Sequence, residues 1–225
     1  MVESSNSQYD SFSDDFIKGT DIHNDLSRAA YYSVLENIVF AGKTVLDVGC
    51  GDGWDLQQLV KKEAICYGLD SSKALVNVAQ KNIPSAKIIE GNMESLPYED
   101  SSFDVVLSKY AIQTSTNVPL VLSEMDRVLK TGGTMVYLAV HPLRQFLEKK
   151  NHPKDYFEQE VVKSVFFGGS ISANEPTHTL NEYLNPNFLR KYQINHFQEY
   201  KDFPSSEKVE GDEYPCFFVL KATKL

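Results

Sequence analysis

The chain lacks any apolar run long enough to cross a bilayer, and Met1 to Asp15 is polar and acidic. A membrane helix needs about 20 consecutive apolar residues, and a secretory signal needs a basic start followed by an apolar stretch. No membrane association is therefore expected, and a cytoplasmic location is. Positive charge is scarce as well: 22 Lys and Arg face 31 Asp and Glu, for a formal net charge of −9. Phosphate-backbone binding needs a basic face, and the Lys and Arg residues are scattered, so nucleic acid is not an expected partner. Cysteine is rare and odd in number. Cys50, Cys66 and Cys216 have no metal-ligand spacing, and they read as small buried hydrophobes in a reducing compartment, with no metal site.

What is present begins with Val45-Leu46-Asp47-Val48-Gly49-Cys50-Gly51-Asp52-Gly53, followed by a second apolar run ending in an acid, Tyr67-Gly68-Leu69-Asp70. The first segment reads as a buried parallel strand running into three glycines at alternate positions and then a helix near Trp54. Glycine there can take φ > 0 and let backbone lie against a ligand, while the helix start presents free N–H groups. Asp70, about twenty residues on, stands where a doubly wound sheet places a carboxylate to accept both hydroxyls of a ribose. The glycines alone would also suit a plain strand-to-helix turn; the downstream acid is what favours a nucleoside. A dinucleotide-binding turn has G-x-G-x-x-G. Here the third glycine comes one position early, at Gly53, and Trp54 takes its place, which disfavours a pyrophosphate.

These residues resemble the class I S-adenosylmethionine-dependent methyltransferases, in particular the small-molecule branch similar to ubiquinone and menaquinone biosynthesis methyltransferases. Three further segments extend the resemblance: Glu90 to Tyr98 is similar to the family's adenine loop, Ser102 to Ser108 to its fourth strand, and Val128 to Val136 to its turn into the fifth. The resemblance implies S-adenosyl-L-methionine as cofactor, with Asp47, Gly49, Cys50 and Gly51 at its methionine end and Asp70 at its ribose. Asn92 and Met93 would meet the adenine. Ser71, Leu69 and Ser108 would line the same crevice, and Tyr9 would stand as an aromatic lid. Relatives usually carry Asp at position 92; Asn still accepts through its carbonyl oxygen.

The expected fold is α/β, a Rossmann-like doubly wound sheet of about seven strands, mostly parallel with an antiparallel C-terminal hairpin. One domain over residues 1–225 is expected: a lid and helix (1–42), a cofactor-binding core (43–140), a substrate cover (141–191) and closing strands (192–225). Helices are predicted over Asn24–Phe40, Ser72–Asn82, Val118–Leu129 and Leu180–Lys191, and the first dozen residues are expected to be mobile. Tyr192–Tyr200 and Cys216–Ala222 should form the hairpin. Of the 25 Phe and Tyr residues, 13 lie between Asn151 and Leu225. They divide between core packing and an acceptor pocket that would include Phe166 and Phe167.

The expected reaction is methyl transfer to a small-molecule N, O or C acceptor, driven mainly by positioning and exclusion of water. If the acceptor carries a proton, a base is needed. His141, directly after the fifth strand, is the first candidate, His178 the second and His23 the third; each also fits an ordinary loop histidine. Tyr110, Gln113 and His141 are expected at the acceptor. The alternatives are an NAD(P)-dependent oxidoreductase and a non-catalytic S-adenosylmethionine-binding protein.

Overall fold

In the computed structural model, residues 6–23, 25–166, 169, 171–201, 209 and 211–225 are described, residues 6, 7, 20–23 and 25 by their backbone only. Seven strands form one sheet: β1 (Thr44–Val48), β2 (Ile65–Asp70), β3 (Lys87–Glu90), β4 (Phe103–Lys109), β5 (Leu129–Val140), β8 (Tyr192–Tyr200) and β9 (Phe217–Lys224). Their order is β3-β2-β1-β4-β5-β9-β8. β1 to β5 pair in parallel, and β9 runs antiparallel between β5 and β8. The expected sheet is the observed one.

The sequence explains both covered faces. β1 is Thr-Val-Leu-Asp-Val, buried on both sides as a central parallel strand must be. Its Val45 faces α3 (Asp25–Leu35), α4 (Trp54–Val60) and α5 (Lys73–Asn82) through Ala30, Leu56, Leu59, Val76 and Ala79. Leu46 and Val48 face α6 (Val118–Val128), α8 (Leu180–Tyr183) and α9 (Pro186–Lys191) through Met125, Tyr183 and Phe188. Strand order reverses between β1 and β4, so the crevice opens beyond their C-terminal ends.

Several elements differ from expectation. The predicted helix to Phe40 stops at Leu35; Asn37, Ile38 and Val39 are weak helix formers, and Phe40 instead fills the core at 2% exposure. The predicted Leu180–Lys191 helix is two. Pro186 has no N–H to continue α8, and Asn185 starts α9 by accepting from the Asn187 and Phe188 amides. The first residues are helical where described, in α1 (Asn6–Ser11) and α2 (Ser13–His23). Outside interactions hold α1. The Gln8 amide donates to Asn174 O and accepts from Asn174 N, at 3.1 and 2.9 Å, as a strand edge would. Asp10 accepts from Ser72 Oγ and Ala74 N at 2.6 and 3.0 Å, adding a second acceptor to the Ser72 cap of α5. Residues 141–191, expected as a substrate cover, contain a hairpin, β6 (Val161–Phe166) paired with β7 (Ile171–Pro176).

Asp126 joins the far elements. At 8% exposure it receives Lys191 Nζ at 2.6 Å, Tyr192 Oη at 2.9 Å and Lys224 Nζ at 3.3 Å, tying α6 to α9, β8 and β9. Burial pushes its carboxyl up, but donation from Lys191 and Tyr192 with the Lys224 charge outweighs this, so it stays below the usual aspartate range. A depressed folded pKa gives stability that is present above the unfolded value and lost as pH falls through the folded one. Asp126→Ala should therefore cost about 3 kcal/mol in urea unfolding at pH 7, and the gap between wild type and variant should narrow in acid.

Candidate functional site

The turn after β1 is shaped by three glycines with φ of 77°, 54° and 80° at Gly49, Gly51 and Gly53. The Gly49 and Cys50 amides both donate to Leu69 O, at 2.7 and 3.1 Å, which pins the turn to the end of β2. A Cβ on Gly49 would lie 2.1 Å from the Ala111 Cβ, so this glycine is a packing requirement. A Cβ on Gly51 would meet nothing within 4 Å. That backbone faces open space, as a ligand cradle must.

Asp70 sets the other wall. Its Oδ2 accepts from the Gly51 amide at 2.8 Å and its Oδ1 from the Ser72 amide at 2.9 Å; with the Ser71 amide also acting on it, the carboxylate keeps capacity for a further donor. Burial raises its pKa, against the Ser72, Gly51 and Ser71 amides that lower it. Asp47, 4% exposed in β1, is raised by burial first, then by Asp55 and Asp70, with Lys109 opposing. Lys109 is itself spent on Asp55 at 2.6 Å, whose other oxygen accepts from Tyr32 at 2.8 Å. Three carboxylates against one ammonium make a local excess of negative charge, which suits a cationic ligand.

Tyr9 is half-buried. Burial, then Glu175, then Asp70 raise its phenol, so the α1 lid places it in the field of both acids. Met93 is partly buried against the core and Ser71 lies in the turn beside Asp70. Tyr110 takes φ 53°, a strained conformation of the kind that gathers at functional turns, and its ring packs edge-on to Phe217.

Other expected site residues have different work. The Cys50 side chain belongs to the core and would touch a Cβ on Gly68 at 2.8 Å; only its backbone lines the turn. Ser108 is fully buried and its hydroxyl donates to Val48 O at 2.7 Å, stapling β4 to β1. Asn92 Oδ1 accepts from the Glu94 amide at 2.9 Å, so one of the two lone pairs expected for adenine is used in a local turn. His141 caps the turn at Pro142–Arg144: Nδ1 accepts from the Leu143 amide at 3.0 Å. Its Nε2 stands 2.8 Å from Glu199 Oε1 but is poorly aligned for a hydrogen bond, and burial, opposed by Glu199, lowers its pKa. Nδ1 is spent on a backbone cap and Nε2 faces β8. His178 is buried with Nε2 2.9 Å from Gln113 O and Nδ1 2.9 Å from Glu182 Oε2. Both ring nitrogens thus face protein oxygens. His23's side chain and Phe167 lie outside the described residues. Phe166, at the end of β6, is half-buried.

Gln113, 2% exposed, follows β4, and its Oε1 has no hydrogen-bond partner among the described residues. Glu175 on β7 was missed by sequence reading and is 2% exposed. Burial raises its carboxyl; Ser164, Lys149, His178 and Arg144 act in the opposite direction. The signal existed: Ile171, Ala173 and Glu175 alternate beyond Gly168-Gly169, which is a hairpin pattern with an acid on its apolar face. Among the described residues, no group of His, Cys, Asp and Glu could hold a metal, and no helix is long and apolar enough to cross a membrane.

Residues 46–137 match the family described as methyltransferase domain. Phthiotriol/phenolphthiotriol dimycocerosates methyltransferase 1 of Mycobacterium ulcerans (strain Agy99) is 34% identical over 168 residues, covering 71% of this chain and 62% of that protein. Ubiquinone/menaquinone biosynthesis C-methyltransferase UbiE of Campylobacter jejuni is 29% identical over 160 residues, 66% of this chain and 63% of that one. The chain thus spans less than two thirds of the length of these curated relatives. An S-adenosylmethionine-dependent methyltransferase from Mesorhizobium loti shares the fold with a TM-score of 0.68 at 20% identity, over 87% of this chain and 96% of its own. The [4+2]-cyclase SpnF also shares it, with a TM-score of 0.68 at 17% identity over 97% and 95% of the two chains.

Gly49→Ala should destabilise by roughly 3 kcal/mol, combining a left-handed φ with a clash. Urea unfolding of Gly49→Ala alone and with Ala111→Gly checks the cause: the second change should recover the clash component and leave the backbone strain.

Proposed function

We propose that this chain, whose residues 46–137 match the methyltransferase domain family, transfers a methyl group from S-adenosylmethionine to a small-molecule N, O or C acceptor, leaving S-adenosylhomocysteine. The single observation that carries this reading is the pairing of an open Gly51 backbone with an Asp70 carboxylate whose two oxygens are fixed by the Gly51 and Ser72 amides. When bound, the cofactor supplies a methyl group already activated by its sulfonium.

This chain's residues then have to bind, orient and exclude water. Asp70 is fixed before any ligand arrives, so its remaining lone pairs can accept ribose hydroxyls without reorganising. The negative surplus of Asp47, Asp55 and Asp70 suits the cationic methionine end. The Asn92 side chain and the Met93 backbone are left for the adenine. α1 closes over the crevice from the side, with Tyr9 in the field of Asp70. Buried Cys50, Cys66 and Cys216 are free thiols, as suits a reducing, cytoplasmic setting.

SpnF is why fold alone does not decide turnover. An oxidoreductase reading would require the crevice to take a pyrophosphate, and its acidic lining opposes that. Calorimetric titration of S-adenosylhomocysteine into wild type should show binding, and Asp70→Ala should weaken it by at least about ten-fold, the scale of lost hydrogen bonds to a charged group. NAD(H) should not bind. Unchanged affinity in a folded Asp70→Ala protein would remove Asp70 from the site, and wild type that binds NAD(H) but not S-adenosylhomocysteine would overturn the reading.

A further inference from the structure

The β6–β7 hairpin has a wet outer face, with Val161 and Val165 54% and 37% exposed, and a dry inner one. The inner face is Val162, Ser164, Phe166, Ile171, Ala173 and Glu175, in which Glu175 is the one ionisable group. A buried acid is costly even with the Ser164 hydrogen bond and the Lys149, His178 and Arg144 charges that oppose its burial, and perturbed acids of this kind gather at functional sites. The hairpin's position indicates which purpose. β7 packs against the tight turn Ile112–Thr114 beyond β4, and β6 against the turn Gln145–Lys149 beyond β5, so the inner face roofs the C-terminal ends of both strands. The Gln8 clamp grips β7 at Asn174, one residue from Glu175, and brings Tyr9 into the field of Glu175 on one side and Asp70 on the other.

Two groups under this roof offer acceptor oxygens: the Glu175 carboxyl, which already takes a hydrogen bond from Ser164 and when ionised can only accept, and Gln113 Oε1, which has no partner among the described residues. Their complement is a ligand group that donates. We propose that Glu175 is the acceptor-side carboxylate of the site, that Gln113 Oε1 helps it to orient the acceptor, and that the methyl acceptor carries an O–H or N–H group whose proton Glu175 takes. This rests on the methyltransferase reading. As the new O–CH₃ or N–CH₃ bond forms, the electron pair of the S–CH₃ bond returns to sulfur, giving a neutral thioether, and the acceptor's proton passes to a Glu175 oxygen. Glu175 thereby takes the role of base for which His141 and His178 are the candidates in the sequence.

The charged and titratable groups around Glu175 are Arg144 and Lys149 from the turn after β5, His178 before α8, Tyr183 in α8 and Tyr9 in α1. Arg144 and His178 also face Glu148 and Glu182 at 3.1 and 2.9 Å, and Lys149 feels Glu148 before Glu175.

The test uses catechol as the O–H probe, tryptamine as the N–H probe and anisole as a control without a donor. Each is titrated calorimetrically into the S-adenosylhomocysteine complex of wild type, Glu175→Gln and Glu175→Asp. Wild type should bind catechol, tryptamine or both more tightly than anisole, and Glu175→Gln should lose at least about ten-fold of that affinity with its affinity for S-adenosylhomocysteine unchanged. For whichever probe is methylated, kcat/KM should rise with pH in wild type as the carboxyl ionises; that limb should vanish in Glu175→Gln and return in part in Glu175→Asp. Equal probe binding in wild type and Glu175→Gln, or no donor probe bound by a wild type that does bind S-adenosylhomocysteine, would overturn the assignment alone. Failure of wild type to bind S-adenosylhomocysteine would overturn the methyltransferase reading with it. Glu175→Gln takes a carboxylate from beside Lys149, His178 and Arg144, so its melting temperature should fall; a cooperative melt together with unchanged affinity for S-adenosylhomocysteine separates a lost function from a lost fold.

Discussion

Asp70 holds the crevice together. One carboxylate accepts the Gly51 amide with one oxygen and the Ser72 amide with the other, so the turn after β1 and the turn after β2 are locked by a single side chain. The adjacent Leu69 carbonyl takes the Gly49 and Cys50 amides from the same turn. Four backbone donors that would otherwise need water are thus satisfied at the end of one strand. The geometry of every other group in the crevice depends on that junction, including Gly51, whose backbone is left facing open space.

The lid is attached to the same junction. Asp10 reaches Ser72 and Ala74 at the start of α5, while two residues earlier Gln8 engages the backbone of β7. A six-residue helix with little hydrophobic area of its own is therefore held by polar contacts to both walls of the crevice, one on the cofactor side and one on the cover side. Such contacts are individually worth about 1 kcal/mol, weak enough for the lid to open and specific enough to fix where Tyr9 stands when it is closed.

The acids fall into two groups by their surroundings. Glu124 is lowered by the Arg127 hydrogen bond, and Asp126, despite burial, by Lys191, Tyr192 and Lys224; these add stability that acid removes. Asp47, Asp70 and Glu175 are raised by burial. Folding prefers their protonated forms, so they cost stability at neutral pH, and the cost shrinks as pH falls through their raised values. Scaffold acids are paired with cations, whereas crevice acids are buried with too few of them. That imbalance is tolerable in a protein when a cationic or proton-donating ligand is the missing partner.

Much was legible in the sequence because it was local. The apolar runs of β1, β2 and β4, the alternate glycines, and the acid one strand later specify a parallel sheet, a strand-to-helix turn and a polar wall through period and spacing alone. The reading failed where a residue's role depends on what lies across the fold. His178 looks like a base in a string of letters, yet its Nε2 stands 2.9 Å from the Gln113 carbonyl, 65 residues away. Ser108 looks like a crevice residue until Val48 claims its hydroxyl. Conversely, the alternation of Ile171, Ala173 and Glu175 marks an acid on an apolar face, but what that face covers is set by the β6–β7 hairpin's place in the fold. The sequence by itself determined the elements and the cofactor-binding turn, since these follow from side-chain period and backbone freedom within a few residues. Only the tertiary structure decided which polar atoms remain available for chemistry, because a hydrogen bond between residues 60 or more apart leaves no trace in local sequence.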